Sequence, residues 1–181
     1  DLDHLFELDN DPEVMRYING GRPVSRQVMQ DEILPTFLTY DSRHPAFGFW
    51  AAIDKYSAGF LGWFSIRPTG SNPGDLLLGY RLRRAAWGQG YATEGVRALI
   101  KKAFSEAAVQ RIVATTYEKN LASRRVMEKA GLTLVRRFRL TPAHLQQADT
   151  FHTASLDVWD GDDLEYALTK PDWQKQQVWT V

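Results

Sequence analysis

The sequence predicts an α/β (α+β) protein in which one mixed, mainly antiparallel sheet carries helices on both faces. Two β-rich segments, Phe47 to Asp54 and Phe60 to Arg67, are separated only by the tight turn Lys55–Gly59, which is typical of an antiparallel hairpin. Further along the chain, β-rich and helical patterns alternate in the order β-α-β-α-β, which places successive strands parallel. A sheet that contains both arrangements is mixed.

The region before the hairpin is predicted to be helical. Residues 2–9 form the first predicted helix. The pair Asp11-Pro12 is a typical helix start and begins a second helix that runs to about Ile18. After a loop at Gly20–Pro23, Ser25 caps a third helix that runs to about Tyr40.

The second half of the chain supplies the alternating pattern. After a Gly/Pro-rich loop over Pro68–Asp75, a strand is expected over Leu76–Leu82. A long helix follows, because apolar residues recur at helical spacing at Val96, Leu99, Ile100, Ala103 and Phe104. A β-branched run predicts a strand over Ile112–Tyr117, and Asn120 and Gly131 are good cap residues for a short helix after it.

The C-terminal part is predicted with fewer elements. A strand is expected over about Thr133 to Phe138, an irregular segment over Pro142–Asp163, and a last strand over Leu164–Leu168. Lys170–Val181 has no clear pattern and is predicted to be a tail. We therefore expect a single domain over residues 1–170 and a tail over residues 171–181.

Composition fits an intracellular enzyme domain and excludes several chemistries. The 181 residues are 44% hydrophobic and 24% charged, as in ordinary folded domains. The chain has no cysteine, which excludes disulfides, thiolate metal sites and a cysteine acyl-enzyme. The formal net charge is zero and no apolar run is long enough to span a membrane. We expect a cytoplasmic monomer or homodimer without a metal, a nucleic-acid partner or a membrane partner.

A glycine-rich loop opens the long helix. Gly88 and Gly90 remove side chains from the loop, and the free N–H groups at a helix N-terminus bind anions. The loop is not a Walker motif, since no Gly-Lys-Ser/Thr follows, and it lacks the third glycine of the dinucleotide fingerprint. The excluded motifs leave a phosphate-bearing ligand of another kind, or a strand–helix turn without a ligand.

A second motif follows the strand over Ile112–Tyr117. Residues 120 to 132 read Asn-Leu-Ala-Ser-Arg-Arg-Val-Met-Glu-Lys-Ala-Gly-Leu. By itself this segment is an ordinary capped helix.

Together the two motifs resemble those of the GNAT superfamily of acetyl-CoA-dependent N-acetyltransferases. The loop Trp87-Gly-Gln-Gly-Tyr-Ala92 resembles the pyrophosphate loop of that family, and Asn120 to Leu132 resembles its later Asn-x-x-Ala/Ser motif. Gly79-Tyr80-Arg81-Leu82, with Trp87 to Glu94 and Asn120 to Ser123, is most similar to the branch of ribosomal-protein N-terminal acetyltransferases. The resemblance spans roughly residues 46 to 140.

This resemblance implies an acyl-CoA N-acyltransferase fold, with a V-shaped splay between the two central parallel strands, and acetyl-CoA as cosubstrate. The strand ending at Leu82 pairs with the pantetheine arm, and one of its amides, freed by a bulge, polarises the thioester carbonyl. The loop holds the pyrophosphate, and Asn120 lies near the thioester. The cofactor-binding residues implied in this way are Tyr80, Arg81, Leu82, Trp87, Gly88, Gln89, Gly90, Tyr91, Ala92, Thr93, Asn120, Ser123 and Met127.

The sequence departs from the family pattern at three points. Trp87 replaces the usual Gln/Arg of the loop, which is normal for this branch. Met127 stands where many members carry a tyrosine that protonates the leaving thiolate. The family's first strand should precede Asp1, yet the sequence begins in a helical pattern, so we expect a sheet without that strand, whether it was cut away or is lacking.

The catalytic residues follow less directly. Ser123 is a candidate acid for the thiolate, with an ordinary helix-start residue as the alternative. Glu94 is a candidate base, although a carboxylate in a first helical turn is equally a dipole partner. Asp75, expected in the loop, Glu118 and His152 are lesser candidates for the base.

Several side chains could contact the substrates. Basic residues near the motifs are candidates for the CoA phosphates or are solvated helix faces: Arg81, Arg83, Arg84, Arg97, Lys101, Lys102, Arg124, Arg125 and Lys129. An acidic stretch is either a site for an ammonium substrate or a solvated loop: Asp157, Asp160, Asp162, Asp163 and Glu165. Trp50 and Trp63 belong to the core or line an acceptor cleft.

The sequence thus predicts transfer of an acetyl group to a primary amine, either a protein N-terminus or a small molecule, by direct attack on the thioester. The alternative is a CoA-binding regulatory or structural domain without catalysis.

Overall fold

The structure is a computed structural model, and it describes residues 2–43, 47–69, 72, 74–106, 108–141 and 161–178. Within these residues six strands form one sheet in the order β1-β2-β3-β4-β6-β5. The strands are β1 Gly48–Ile53, β2 Phe60–Pro68, β3 Asp75–Leu82, β4 Arg111–Tyr117, β5 Thr133–Phe138 and β6 Asp163–Thr169. All neighbouring strands are antiparallel except β3 and β4, so the predicted mixed, mainly antiparallel sheet is confirmed.

The helices lie before, between and after the strands. They are α1 Leu2–Asp9, α2 Pro12–Asn19, α3 Arg26–Val28, α4 Leu34–Arg43, α5 Tyr91–Ser105, α6 Leu121–Lys129 and α7 Lys170–Val178. A π-helical turn, Met29–Ile33, joins α3 to α4, so the third predicted helix is continuous with one irregular turn. Asp11 and Ser25 cap α2 and α3 through their side chains, as their positions in the sequence predict.

Strands β3 and β4 separate after a short parallel ladder. Their residues pair only at the start, from Asp75 opposite Arg111 to Leu77 opposite Val113. From there β4 continues in register with β6 to its last residue, Tyr117, while β3 stays with β2 to Leu82. Because the two strands diverge, the middle of the sheet opens as a V, and the predicted splay is confirmed.

The sheet separates two hydrophobic clusters. On one face, α5 and α6 cover Leu76, Leu78 and Leu82 of β3 in the larger cluster. On the other face, α1, α2 and the π-helical turn cover Trp63 of β2 in the smaller one. On β2, Phe64 and Ile66 belong to the larger cluster and Trp63 to the smaller one, because successive side chains point to opposite faces. The sheet is therefore buried on both sides around the V.

Three expectations about local structure are wrong. The β2–β3 register runs without a shift, so the expected bulge in β3 is not present. Asp75 is the first residue of β3, not part of the preceding loop. The expected tail forms α7 over Lys170–Val178, where the Thr169 hydroxyl accepts a hydrogen bond from the amide of Asp172 and Trp173 packs on Phe104.

Some predictions fall on residues outside the described ranges. These include most of the irregular segment, with Asp157, Asp160 and the candidate base His152.

The predicted helix over residues 2–9 is confirmed as α1. None of the helices in the described part of the chain is long and apolar enough to cross a membrane.

Candidate active site

The loop before α5 has a backbone that favours glycine at two positions. Gly88 and Gly90 have φ values of +73° and +88°. A Cβ at either position would meet no heavy atom within 4 Å, so glycine is favoured by the backbone conformation and not by crowding. The space beside the loop stays open, and the first amides of α5 face no partner within the helix.

Two side chains hold this loop to the end of β3 and to the 3-10 turn Arg84–Ala86 that follows it. The Trp87 indole N–H donates to the carbonyl of Leu82 over 2.8 Å, and the ring is 48% exposed. The side-chain amide of Gln89 donates to the carbonyl of Ala85 over 2.5 Å. These bonds fix the loop at the end of β3, so the N-terminus of α5 is held beside the V.

A cleft of about 500 Å³ runs through the V. One wall is the end of β3 with the glycine loop and the start of α5, and the opposite wall is α6 from Ala122 to its last residue, Lys129. Residues of α2, including Glu13 and Tyr17, close it on the other face of the sheet. Because the glycine loop, the splayed strands and α6 share one cavity, a single extended ligand can contact all three.

Two hydroxyl groups meet across this cleft. The Tyr80 hydroxyl of β3 lies 2.8 Å from Ser123 Oγ and 3.2 Å from the Ser123 carbonyl oxygen. The Ser123 amide donates to Asn120 Oδ1 over 3.2 Å, so Asn120 caps α6 as predicted. Burial raises the pKa of the Tyr80 hydroxyl to about 12, although its hydrogen bond to Ser123 acts the other way. The phenol therefore stays protonated at neutral pH.

Packing fixes the Tyr80 ring from behind. Its centroid lies 6.1 Å from that of Phe64 on β2. The Phe64 ring in turn lies so close to Gly95 of α5 that a Cβ there would be 2.2 Å from Phe64 Cζ. The Tyr80 ring is thus supported through Phe64 by the helix that carries the glycine loop.

The family model described as acetyltransferase (GNAT) domain matches residues 1–133 of the chain. This chain belongs to the GNAT acetyltransferase family. An Aspergillus fumigatus relative, FsC-acetyl coenzyme A-N(2)-transacetylase, is 30% identical over 182 residues, which cover 95% of this chain and 71% of the relative. The family assignment makes the chain an acetyltransferase of the kind that acts on amines.

Solved structures of other GNAT enzymes share the fold. An aminoglycoside acetyltransferase in complex with coenzyme A superposes with a TM-score of 0.72 at 19% identity, covering 98% of this chain and 94% of the other. A spermidine N-acetyltransferase from Vibrio cholerae, with CoA and spermine, gives 0.70 at 12% identity and covers 96% and 92%. At these identities the likeness establishes the fold alone.

The structure places the predicted cofactor residues of this GNAT protein unevenly. Those that line the cleft are Tyr80, Arg81, Leu82, Trp87, Gly88, Gly90, Ala92, Thr93, Asn120 and Ser123. Met127 is 1% exposed and lies in the larger hydrophobic cluster. The Tyr91 hydroxyl donates to Asp54 over 3.3 Å, and Gln89 bonds to Ala85. The last three side chains have structural contacts of their own.

Arg81 reaches the cleft, but its side chain is engaged elsewhere. The guanidinium pairs with Asp9 of α1, with Nη1 and Oδ1 2.5 Å apart and both side chains buried. It also lies over the Trp63 ring, 5.3 Å from its centroid. A role for Arg81 toward CoA is thus confined to its backbone. Trp63 is a core residue, and among the described residues neither Trp63 nor Trp50 lines the cleft.

The candidate bases lie apart from the hydroxyl pair. Glu94 is exposed in the first turn of α5 and does not line the cleft. Asp75 pairs with Arg111 at the opposite end of β3, and Glu118 pairs with Arg137. Of the residues in the described ranges that line the cleft, Glu13 alone carries a carboxylate, and it lies 3.7 Å from Arg16.

Most of the basic residues are engaged with partners within the protein. Arg83 and Arg84 pair with Glu7 and Asp11, while Arg97 and Arg124 donate to backbone carbonyls. Arg125 and Lys129 of α6 line the cleft. Their charges, with the amides of the loop, give the cavity a cationic end that suits the phosphates of CoA.

Sequence reasoning missed the hydroxyl of Tyr80. The motif Gly79-Tyr80-Arg81-Leu82 marks the strand, but the contact to Ser123 joins residues 43 positions apart. It forms only because β3 and β4 splay and α6 turns back over the gap. No group of three or more residues in the described ranges forms a candidate metal site.

Proposed function

We propose that this protein transfers the acetyl group of acetyl-CoA to a primary amine by direct attack on the thioester. The observation that carries the proposal is the splay of β3 from β4 beside the glycine loop. Beyond Leu77, the polar backbone groups of β3 that face β4 lose their strand partner. A pantetheine arm supplies amide groups of the kind that can pair with them.

The phosphates would be held at the other end of the cleft. The amides of residues 88 to 92 open α5, where the helix dipole favours negative charge. Arg125 and Lys129 are the charged side chains of α6 that line the cleft. We propose that they contact the CoA phosphate that the loop does not hold. The residues present therefore fit a CoA-sized ligand, with the phosphates at the loop and the acyl end near Ser123.

The chemistry asked of the protein is modest, since the acetyl group arrives as an activated thioester. The protein must align the amine and stabilise the oxyanion, for which amides of β3 facing the gap are available. Ser123 lies in the first turn of α6, where its hydroxyl can donate a proton to the departing sulfur. Glu94 is exposed, which disfavours it as the base. We therefore assign removal of the amine proton to water in the cleft.

We assign the acceptor to small-molecule primary amines, with a peptide N-terminus as the second class. The Aspergillus relative is named for transfer to an N(2) position, and the solved neighbours are named for aminoglycoside and spermidine substrates. The peptide N-terminus is included because the motif residues resemble those of ribosomal-protein N-terminal acetyltransferases. We further propose a single catalytic domain that works in the cytoplasm as a monomer or homodimer and that extends past the expected boundary at residue 170 to include α7, because Trp173 packs on Phe104.

The test is release of free CoA in the presence of an amine panel. The panel contains a polyamine, an aminoglycoside, α-amino acids and short peptides with free N-termini. The chain has no cysteine, so a thiol reagent reacts with the released CoA and not with the protein. Amine-dependent release with a matching acetylated product supports the proposal. Tight acetyl-CoA binding without acetylation of any amine would favour the CoA-binding domain without catalysis.

A further inference from the structure

Tyr80 and Ser123 join the two walls of the cleft. Tyr80 lies on β3 past the point where the parallel ladder ends, and Ser123 lies on the helix that follows β4. Their hydroxyl oxygens are 2.8 Å apart, which is an ordinary distance for an O–H···O bond. The contact therefore spans the gap that the splay creates.

Tyr80 has two acceptors within reach and one proton. Its hydroxyl lies 2.8 Å from Ser123 Oγ and 3.2 Å from the Ser123 carbonyl oxygen. When the phenol donates to the carbonyl, the serine hydroxyl donates back to the phenol. When the phenol donates to Oγ, the serine proton is free to point into the cleft. The acceptor that Tyr80 uses thus decides where the serine proton lies.

We infer that Tyr80 is a positioning residue for acetyl transfer, whose phenol donates to Ser123 Oγ and so directs the serine proton to the sulfur of the departing CoA. The inference rests on the proposed function, in which Ser123 is the acid. Tyr80 of β3 thereby supports protonation of the thiolate. Met127, which stands where many family members carry a tyrosine, has no hydroxyl for that task.

The proton balance closes through water. The C–S bond breaks and its electron pair goes to sulfur, which takes the Ser123 proton to give the CoA thiol. The phenol shares its proton with the serine oxygen as negative charge develops there. The new amide nitrogen has released one proton to water, and water returns one to the Ser123–Tyr80 pair. The pair ends as it began.

The surroundings keep the phenol in this role. Burial raises its pKa to about 12, so it remains a donor throughout the neutral range. The charged groups that line the same cleft are Glu13 and Arg16 of α2, Arg81 of β3, and Arg125 and Lys129 of α6. The hydrogen bonds described for the Tyr80 hydroxyl go to Ser123, so Tyr80→Phe removes that contact and none of the contacts described for these charged groups.

The first test measures the thiol of bound CoA. The wild type, Tyr80→Phe, Ser123→Ala and the double variant are saturated with CoA, and alkylation of its thiol by iodoacetamide is followed against pH. The protein contributes no thiol, because it has no cysteine. We expect Tyr80→Phe to lower the thiolate fraction at fixed pH about fivefold, the effect of one hydrogen bond. Ser123→Ala should lower it at least as much, and the double variant no further.

The second test measures single-turnover transfer to an amine from the panel. We expect Tyr80→Phe to slow the chemical step by up to about tenfold, the effect of one hydrogen bond, with acetyl-CoA affinity within about twofold of wild type. In the Ser123→Ala background the same change should have no further effect. Tyr56→Phe, at a residue 86% exposed in the β1–β2 turn, is the matched control.

The outcomes separate the two claims. If no amine is acetylated while the thiol measurement follows the expected order, the proposed function fails, and what stands is that the Tyr80–Ser123 hydrogen bond directs the serine proton to the sulfur of bound CoA. If Tyr80→Phe changes neither the thiol nor the rate, or changes both equally with and without Ser123, the inference is overturned. A lowered acetyl-CoA affinity with an unchanged chemical step would also overturn it, because Tyr80 would then only shape the cleft.

Discussion

The ring of Phe64 occupies the space that a side chain at Gly95 would need. A Cβ at position 95 would lie 2.2 Å from Cζ and 2.5 Å from Cε1 of that ring. The absence of a side chain lets α5 approach β2 at the level of Tyr80. The glycine is therefore a packing requirement that joins the helix of the glycine loop to the hydroxyl pair.

Gly95→Ala should destabilise the protein, because the ring must move to admit the methyl group. Overpacking of this kind costs about 1–3 kcal/mol, against the small gain of alanine in a helix. Chemical denaturation with urea measures the change. Ala98→Gly, on the same helix at an exposed position, is the control and should cost only about 1 kcal/mol through propensity. A stabilised Gly95→Ala variant would show that Phe64 yields freely.

Gly90→Glu should abolish acetyl-CoA binding. Position 90 has open space for a side chain, so the substitution places a carboxylate beside the amides that would hold the pyrophosphate. Gly90→Gln has the same size and the same strained φ without the charge, and it should bind more tightly than Gly90→Glu by at least about tenfold. Isothermal calorimetry gives both affinities. Equal affinities for wild type and Gly90→Glu would show that this loop does not bind the phosphates.

Asp9→Ala should be strongly destabilising, since it leaves the Arg81 guanidinium buried without its carboxylate. The side chains of the pair are 6% and 4% exposed. Losing one partner of a buried pair costs about 3–5 kcal/mol. Glu7→Ala breaks the exposed pair with Arg83 on the same helix and should cost less than about 1 kcal/mol. Similar losses in the two variants would contradict the buried pairing.

Asp163 should make stability depend on pH. Burial, with the nearby carboxylates of Asp162 and Glu118, raises its pKa to about 6 from an ordinary value of 3.8. The folded state therefore binds the proton more tightly than the unfolded state, and ionisation above pH ~6 costs stability. Asp163→Asn should exceed the wild type by roughly 1–3 kcal/mol above pH ~7. The difference should shrink as pH falls and vanish near pH ~4.

Denaturation curves across that pH range decide the point. Asp162→Asn removes one of the neighbouring charges and should reduce the pH-dependent penalty without abolishing it. A difference between Asp163→Asn and wild type that stays constant with pH would show that Asp163 does not titrate in this window.

Local signals account for the parts that the sequence predicts well. The turn at Lys55–Gly59 and the caps at Asp11, Ser25 and Asn120 act within a few residues, so their patterns are readable without the fold. The splay followed from the family resemblance, because no local pattern marks where a parallel ladder ends.

Features that depend on distant contacts were missed. The contact between Tyr80 and Ser123 requires the splay, and the pairing of Arg81 with Asp9 requires α1 to cross the end of β3. The helix α7 was not predicted because its sequence lacks a clear apolar face. Its start, Thr169-Lys-Pro-Asp172, is nevertheless a recognisable helix N-terminus.

The most direct measurement of the central claim is mass spectrometry of the amine panel after incubation with acetyl-CoA. The account predicts that at least one primary amine gains one acetyl group, with an equal amount of CoA released. It further predicts that Gly90→Glu forms no product, whereas Gly90→Gln retains activity at high acetyl-CoA. Binding of acetyl-CoA to the wild type with no acetylated amine, or full activity in Gly90→Glu, would contradict it.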